Sequence, residues 1–369
     1  MVGLTGIMAG VALCGLAMVS GCQKNREAGP GMKVEPAAET PAAAQPQEGP
    51  SARSVPAESV PQAAEPVAEP NDATQPVNLV LAFSAGQSAT YKATIDAQKS
   101  VEWVGSESVK PADFSGGRSG NRIEMTFEQR VERVLDNGNA ILAITIRGLK
   151  YHGVVQSRPV LEFDSDKPQD QSSPLASLIG KSYRLEMSPK GQVVRLFDLE
   201  SVRQAVKVGS PAYSVAARLT SDEILKDQHE IPPLTALKEN PIRSGQTWSD
   251  LKSFSFGNMG DKSFERVYTL QKSDGQAAVV EMKATMSAAM AEELHKRQTA
   301  SLPPGLFDNT DKYEGRLEFD VGGGRVREYS EEMQTEWVIA DPAAMKDAAA
   351  PPRALKMGAK RLHQLELVE

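Results

Sequence analysis

The sequence predicts a mainly β (α+β) protein with two related antiparallel curved-sheet units, joined by a short helical segment and preceded by a disordered N-terminal tether. Three observations predict this class. Apolar and polar residues alternate from about residue 78 onward, which is typical of half-buried strands. Asn-Gly and Asp-Gly pairs between these runs favour hairpin turns. Similar strands and turns recur in the same order, so we expect β-rich units at 78–200 and 241–369, with a helical connector at 201–240.

The first unit begins with two short strand patterns, Leu79–Phe83 and Tyr91–Ile95. In the run Ile123–Phe127, apolar residues alternate with Glu and Thr, so one face of a strand there is buried. Asp136–Asn139 contains an Asn-Gly pair, which adopts positive φ at little cost and therefore predicts a hairpin. The run Ala140–Ile146 is the expected returning strand.

The second unit repeats this order. Ser273–Ala277 corresponds to Asp136–Ala140, and each turn leads into an apolar strand. Further on, Gly323–Arg327 corresponds to Gly191–Arg195 without a gap. Several matches in the same order favour duplication of one β-rich unit.

Helical patterns occupy the connector at Ser201–Val206, Ala212–Leu219 and Ser221–Leu225. Ser221 is a suitable N-cap because acidic residues follow in the first turn. The second unit contains a further predicted helix at Ser287–Thr299, which is rich in alanine.

The N-terminus carries an export pattern. An uncharged apolar run, Val2–Val19, leads to Val19–Cys22, which resembles the lipobox of bacterial lipoproteins. The resemblance implies that residues 1–21 are a lipoprotein signal peptide and that Cys22 is the lipid attachment site. No Lys or Arg precedes the apolar run, so an uncleaved membrane anchor is the alternative.

The same resemblance predicts a location in the cell envelope, lipid-anchored to the membrane. Gln23 stands after the cysteine, which by the lipoprotein rule favours the outer membrane facing the periplasm; the extracellular face is the alternative. Cys14 would leave with the signal peptide, so no disulfide would remain.

Residues 22–77 consist largely of Pro, Ala, Glu and Gln, and this composition predicts a disordered tether. A coil of this length spans roughly 40 Å. The tether either lifts the folded part off the membrane or serves as an unconstrained spacer.

Four segments resemble an uncharacterised family of bacterial envelope lipoproteins, with a domain of unknown function built from tandem strand repeats. They are Leu178–Tyr183, Met187–Val193, Ile231–Leu234 and Gly245–Trp248. The resemblance implies a structural framework. It assigns no activity, so no site residues transfer.

The sequence offers no catalytic or metal-binding constellation. The histidines lie far apart, so we expect each to be exposed or satisfied by a hydrogen bond. Gly322–Gly324 lies between strand patterns and predicts a hairpin turn, not a phosphate loop. A net charge of −7 without a basic block disfavours nucleic acid. We therefore predict a protein that is not an enzyme and has no cofactor.

Two binding roles remain open. The first is a non-catalytic binding or scaffolding role towards an envelope protein. The alternative is a carrier or binder of lipid or another hydrophobic ligand, since Met125, Met187 and Met282 lie on apolar strands; the same residues could fill a closed core. Trp103 is the candidate ligand contact, whereas Trp248 is expected in the core.

Overall fold

The computed structural model describes residues 75–210, 212–256, 261–289, 307–340 and 353–368. Within these ranges the chain forms twelve strands, and every strand pairing is antiparallel. The strands are β1 Ser88–Val104, β2 Gly117–Val134, β3 Ala140–Val155, β4 Arg158–Asp164, β5 Ser182–Met187, β6 Val193–Phe197, β7 Thr247–Ser255, β8 Asp261–Ser273, β9 Ala277–Met286, β10 Phe307–Asp320, β11 Arg325–Ala340 and β12 Ala354–Leu367. The predicted mainly β class is confirmed.

All twelve strands belong to one sheet, in the order β6-β5-β3-β2-β1-β12-β11-β10-β9-β8-β7, with β4 paired to β3. The first and last strands join the two halves. Their register runs from Tyr91 opposite Leu367 to Val104 opposite Ala354. The predicted division into two curved-sheet units is therefore not confirmed, because β1 and β12 continue one hydrogen-bonded sheet across the expected boundary.

The predicted turns are confirmed. Asp136–Asn139 lies between β2 and β3, and Gly275 lies between β8 and β9. Gly138 has φ +83° and Gly275 has φ +79°, a region that glycine enters without steric cost. Gly322–Gly324 forms the turn between β10 and β11, as the sequence predicts.

The sheet curls strongly at its second half. β7 and β12 are five strands apart in the sheet order, which is ~24 Å in a flat sheet at ~4.8 Å per strand. Nevertheless, the Arg361 guanidinium on β12 lies 5.0 Å from the centre of the Phe254 ring on β7. The Phe256 ring lies 5.2 Å from Trp337 of β11. We call the side of the sheet that carries these residues the inward face.

The connector contains four short helices in the described ranges: α1 Glu200–Arg203, α2 Tyr213–Leu219, α3 Asp222–His229 and α4 Pro232–Ala236. Ser221 caps α3 as predicted, because its hydroxyl accepts the Ile224 backbone N–H at 3.4 Å. Trp248 Nε1 on β7 donates to the Pro233 carbonyl of α4 at 2.8 Å. The connector is thereby fastened to one edge of the sheet.

The predicted strand Leu79–Phe83 is wrong, although its residues do alternate between buried and more exposed positions. Its backbone N–H groups donate to turns in both halves of the sheet, and it pairs with no neighbouring strand. Leu81 N donates to the Pro189 carbonyl, and Ala82 N donates to the Gly324 carbonyl, both at 2.8 Å. We call residues 77–83 the entry segment, since they lead from the tether into the fold.

Several predictions fall outside the described residues. They concern the signal peptide at 1–21, the lipid attachment site Cys22, the tether up to residue 74, and the helix Ser287–Thr299 beyond residue 289. These remain predictions.

Candidate functional site

A small apolar cavity lies between the sheet, the connector and the entry segment. Its volume is about 50 Å³. The lining includes Leu81 of the entry segment, Phe127 of β2, Met187 of β5 and His229 of α3. Pockets that hold small organic ligands usually measure about 300–1,000 Å³. In this conformation the interior therefore has no room for a lipid chain at this point.

His229 closes this cavity as a neutral core residue. It is 2% exposed, and its Nε2 lies 2.6 Å from the Tyr183 hydroxyl. The Phe127 ring meets it edge-on at 4.7 Å. Burial lowers the pKa of His229 to about 3, so the neutral ring accepts a hydrogen bond from the Tyr183 hydroxyl. The expectation of a satisfied histidine is confirmed here.

His363 differs from that expectation. It lies on β12 opposite Glu331, and the ring of Tyr329 meets it edge-on at 5.5 Å. Its Nε2 atom is buried and has no hydrogen-bond partner among the described residues. Burial lowers its pKa, whereas the charge of Glu331 raises it. His152 is exposed and lies 3.1 Å from Glu162, while His295 lies outside the described residues.

A buried ionic network occupies the inward face of the second half. Arg266 of β8 donates to both carboxylate oxygens of Asp250 at 2.8 and 2.6 Å, and to Glu331 at 3.0 Å. Tyr313 and Tyr329 each donate to Glu331 at 2.9 Å. Burial lowers the pKa of Arg266, but the bonds to Asp250 and the nearby negative charges outweigh it, and the pKa is raised.

Glu331 is ionised in this network. Burial raises its pKa, but the charge of Arg266 is stronger and the pKa is lowered. The Glu331 carboxylate is therefore charged. Like the carboxylate of Asp250, it is already hydrogen-bonded, which is an arrangement suited to joining strands.

A second buried pair lies further along the same strands. Lys262 Nζ is 2.6 Å from Asp311 Oδ1 and also donates to Thr335. The same ammonium lies 4.4 Å from the centre of the Trp337 ring. Sequence reasoning missed this pair and the Arg266 network. The sequence contained one indication of them. Lys262 and Arg266 occupy every second position together with Phe264 and Tyr268, so all four side chains lie on the same buried face of β8.

The tryptophans occupy three different settings. Trp103 lies near the end of β1, with its ring 6.2 Å from Phe114 and its Nε1 buried without a partner in the described ranges. Its role as a ligand contact stays a prediction. Trp248 stacks on Tyr268 at 5.7 Å while bonding α4, so it packs as expected. Trp337 is fully buried.

A wider pocket than the interior cavity lies on the outward face of β2, β3 and β4, where it forms an open groove of about 330 Å³. We call it the outer groove. Its lining carries charges of both signs: Lys150 lies 3.5 Å from Asp164, and Arg122 lies 2.8 Å from Glu124. These ion pairs are exposed, so they cost little to rearrange when a charged partner binds.

Two further findings concern the described part of the chain. No group of three or more His, Cys, Asp or Glu side chains in the described ranges could hold a metal ion. The helices of those same ranges are too short and too polar to cross a bilayer.

These features define a class: an antiparallel β protein with one curled sheet, a helical connector and a filled interior. Residues 137–302 match the model of a family of unknown function (DUF6263). This match confirms the predicted resemblance to a family of unknown function. No curated protein sequence matches the chain.

A similarity to a solved structure is weaker. Lipovitellin, studied for its lipid–protein interactions, aligns with 13% sequence identity and a TM-score of 0.39 over 78% of this chain. The chain spans only 25% of the length of that lipovitellin chain.

Proposed function

We propose that this chain is a non-catalytic binding protein of the cell envelope, held to the membrane by lipid at Cys22, and that it binds a polar partner in the outer groove. One contrast carries the proposal. The interior cavity measures about 50 Å³, whereas the outer groove measures about 330 Å³ and is open. Of these two spaces, the groove is the one that reaches the ordinary size of a binding site.

The chemistry of the groove favours a partner with charges of both signs. Lys150 faces Asp164 and Asp166, while His152 faces Glu162. When a partner presents complementary charges to such a surface, the pairing contributes more to the specificity of binding than to its affinity. A scaffolding or docking contact with an envelope protein fits this surface.

A photoactivatable residue in place of Glu162 tests the binding site in the host cells. Glu162 is 62% exposed beside His152. The matched control is Glu314, which is 53% exposed in a similar surface pair with Lys312. We expect one discrete crosslinked product from position 162 and none from position 314. Equal products from both positions, or none from 162, would contradict the proposal.

Cys22→Ala tests the anchor separately. The variant should move from the membrane fraction to the soluble fraction of the envelope. If it still partitions with membranes, the N-terminal apolar run anchors the chain uncleaved.

The alternative, a carrier of lipid or another hydrophobic ligand, is favoured by one observation. The small cavity is lined by apolar residues, including Leu81, Phe127 and Ile231, from elements that could separate. It would have to expand at least about sixfold to reach ~300 Å³. Native mass spectrometry of protein purified from its host tests this role. A stoichiometric co-purifying lipid supports the carrier, and its absence argues against it.

A further inference from the structure

Two cations are neighbours on the inward face of the sheet, and a third, on α2, acts electrostatically on one of them. Arg361 of β12 lies opposite Ala97 of β1. Lys99 follows two residues along β1 on the same face, so the two side chains are diagonal neighbours. Arg218 of α2 is close enough that the Arg361 charge affects its ionisation. All three residues are half-buried.

None of these cations forms an ion pair with a carboxylate in the described part of the chain. Lys99 Nζ donates to the Phe256 carbonyl at 3.4 Å, and Arg361 lies over the Phe254 ring. Glu223 acts on Arg218 electrostatically without an ion-pair contact. Nearby carboxylates have other partners, since Glu331 holds Arg266 and Asp227 lies 3.7 Å from Lys252.

The missing negative charge carries an electrostatic cost. Burial lowers the pKa of Lys99. For Arg218, burial and then the repulsion from Arg361 lower the pKa more than Tyr151 and Glu223 raise it. A bound anion would remove this cost, because opposite charge favours the protonated form of each group.

A buried amide adds an independent feature. Asn121 of β2 lies opposite Ala97, in the same row as Arg361. Asn121 is 8% exposed, and its Oδ1 is buried without a hydrogen-bond partner among the described residues. Its neighbour Ala97 on β1 is small, whereas on the other side the Tyr151 ring lies over Gly153. The amide can accept from a ligand hydroxyl, or turn and donate to an anionic oxygen.

We propose that Lys99, Arg218, Arg361 and the Asn121 amide form a binding site for a phosphate-type anion on the inward face of the sheet. One arginine guanidinium can donate two parallel hydrogen bonds to a phosphate group. A phosphate also carries enough charge to balance more than one cation. This site is separate from the outer groove, so its test is independent of the proposed function.

Calorimetric titration of the purified full chain with inorganic phosphate, at constant ionic strength, tests the site. We expect saturable binding that Arg361→Gln and Arg218→Gln each weaken by about tenfold or more. The matched control is Arg147→Gln, which removes an exposed arginine paired with Glu128 on β3. It should leave binding unchanged. Absence of saturable phosphate and lipid binding in the wild type, or equal weakening by the control, would overturn the proposal.

A second arm distinguishes the source of the phosphate group. Short-chain phosphatidylglycerol, used below its micelle concentration, is compared with inorganic phosphate and with short-chain phosphatidylcholine. Tighter binding of phosphatidylglycerol assigns a lipid headgroup, whereas binding of inorganic phosphate alone assigns a soluble anion. Equal binding of phosphatidylcholine and phosphatidylglycerol, with no response to Arg361→Gln, would overturn the site.

Thermal unfolding shows whether each variant is folded. Removing an unpaired buried cation should leave the melting temperature unchanged or raise it in the absence of phosphate. Lys99→Met provides a second test of the same site, because methionine keeps the apolar part of the side chain. If all three variants fold and still bind phosphate as tightly as the wild type, the proposal is wrong.

Discussion

Arg266 on β8 and Glu331 on β11 meet across the inward face, with Nη1 and Oε2 3.0 Å apart. Their strands are three positions apart in the sheet, or ~14 Å if the sheet were flat. The contact therefore depends on the curl of the sheet. We infer that this pair, together with Asp250, fixes the curl of the second half.

Loss of Arg266 should lower the stability of the fold. Arg266→Met leaves the largely buried Glu331 carboxylate and the partly exposed Asp250 carboxylate without their cation, and we expect a loss of about 3–5 kcal/mol in the free energy of unfolding. The control Arg316→Gln breaks an exposed pair with Glu318 and should cost about 1 kcal/mol or less. Urea unfolding measures both. Similar losses for the two variants would show that the network does not hold the sheet.

His229 predicts a dependence of stability on pH. Its pKa is about 3 in the folded chain, against about 6.5 in the unfolded chain. Between these values the unfolded chain binds the additional proton, so acid favours unfolding. The free energy of unfolding should fall by up to ~1.4 kcal/mol per pH unit below about pH 6.5 from this group. His229→Gln should flatten the pH profile measured by urea unfolding; an unchanged slope would contradict this assignment.

Gly324 should be intolerant of a side chain. Its φ is +56°, and a Cβ atom there would lie 2.4 Å from Ala82 Cβ and 2.8 Å from Ala82 N. Gly324→Ala must displace the entry segment, so we expect lower stability and faster proteolysis near residue 82. Gly275→Ala is the control, because its φ of +79° imposes similar strain with no atom within 4 Å. If the two variants are cleaved at the same rate, the entry segment is not held by this contact.

The local features of the fold were accessible from the sequence, and the long-range ones were not. The Asn137-Gly138 turn and the Ser221 cap depend on a few adjacent residues, so their chemistry is visible in the sequence. The pairing of β1 with β12 joins residues 250 to 276 positions apart, and nothing local selects it. Leu79–Phe83 alternates like a strand, yet its hydrogen bonds go to turns.

The candidate site shows the same limit. Trp103 could be singled out as a large aromatic residue near a polar loop. Lys99, Arg218 and Arg361 are ordinary charged residues in the sequence, and only the pairing of β1 with β12 and the position of α2 bring them together. The sequence shows that Lys262 lies on the same strand face as apolar residues, so its inward direction could be predicted. The residues that pair with it could not.

The entry segment can be locked to distinguish surface binding from a carrier role. Val77 and Ile242 exchange two backbone hydrogen bonds, at 2.7 and 2.9 Å, as an antiparallel bridge. In such a pair the Cα atoms are ~5.5 Å apart, which suits a disulfide. The double variant Val77→Cys and Ile242→Cys should therefore crosslink when oxidised and should raise stability by about 2–4 kcal/mol in urea unfolding.

Photocrosslinking from position 162 in this locked chain tests the central claim most directly. The native Cys22 is lipidated under the proposal, so it should not compete for the disulfide. If the outer groove is the binding site, the locked and unlocked chains should give the same discrete product in equal yield. Loss of that product on locking, restored by reduction, would contradict surface binding and show that the interior must open.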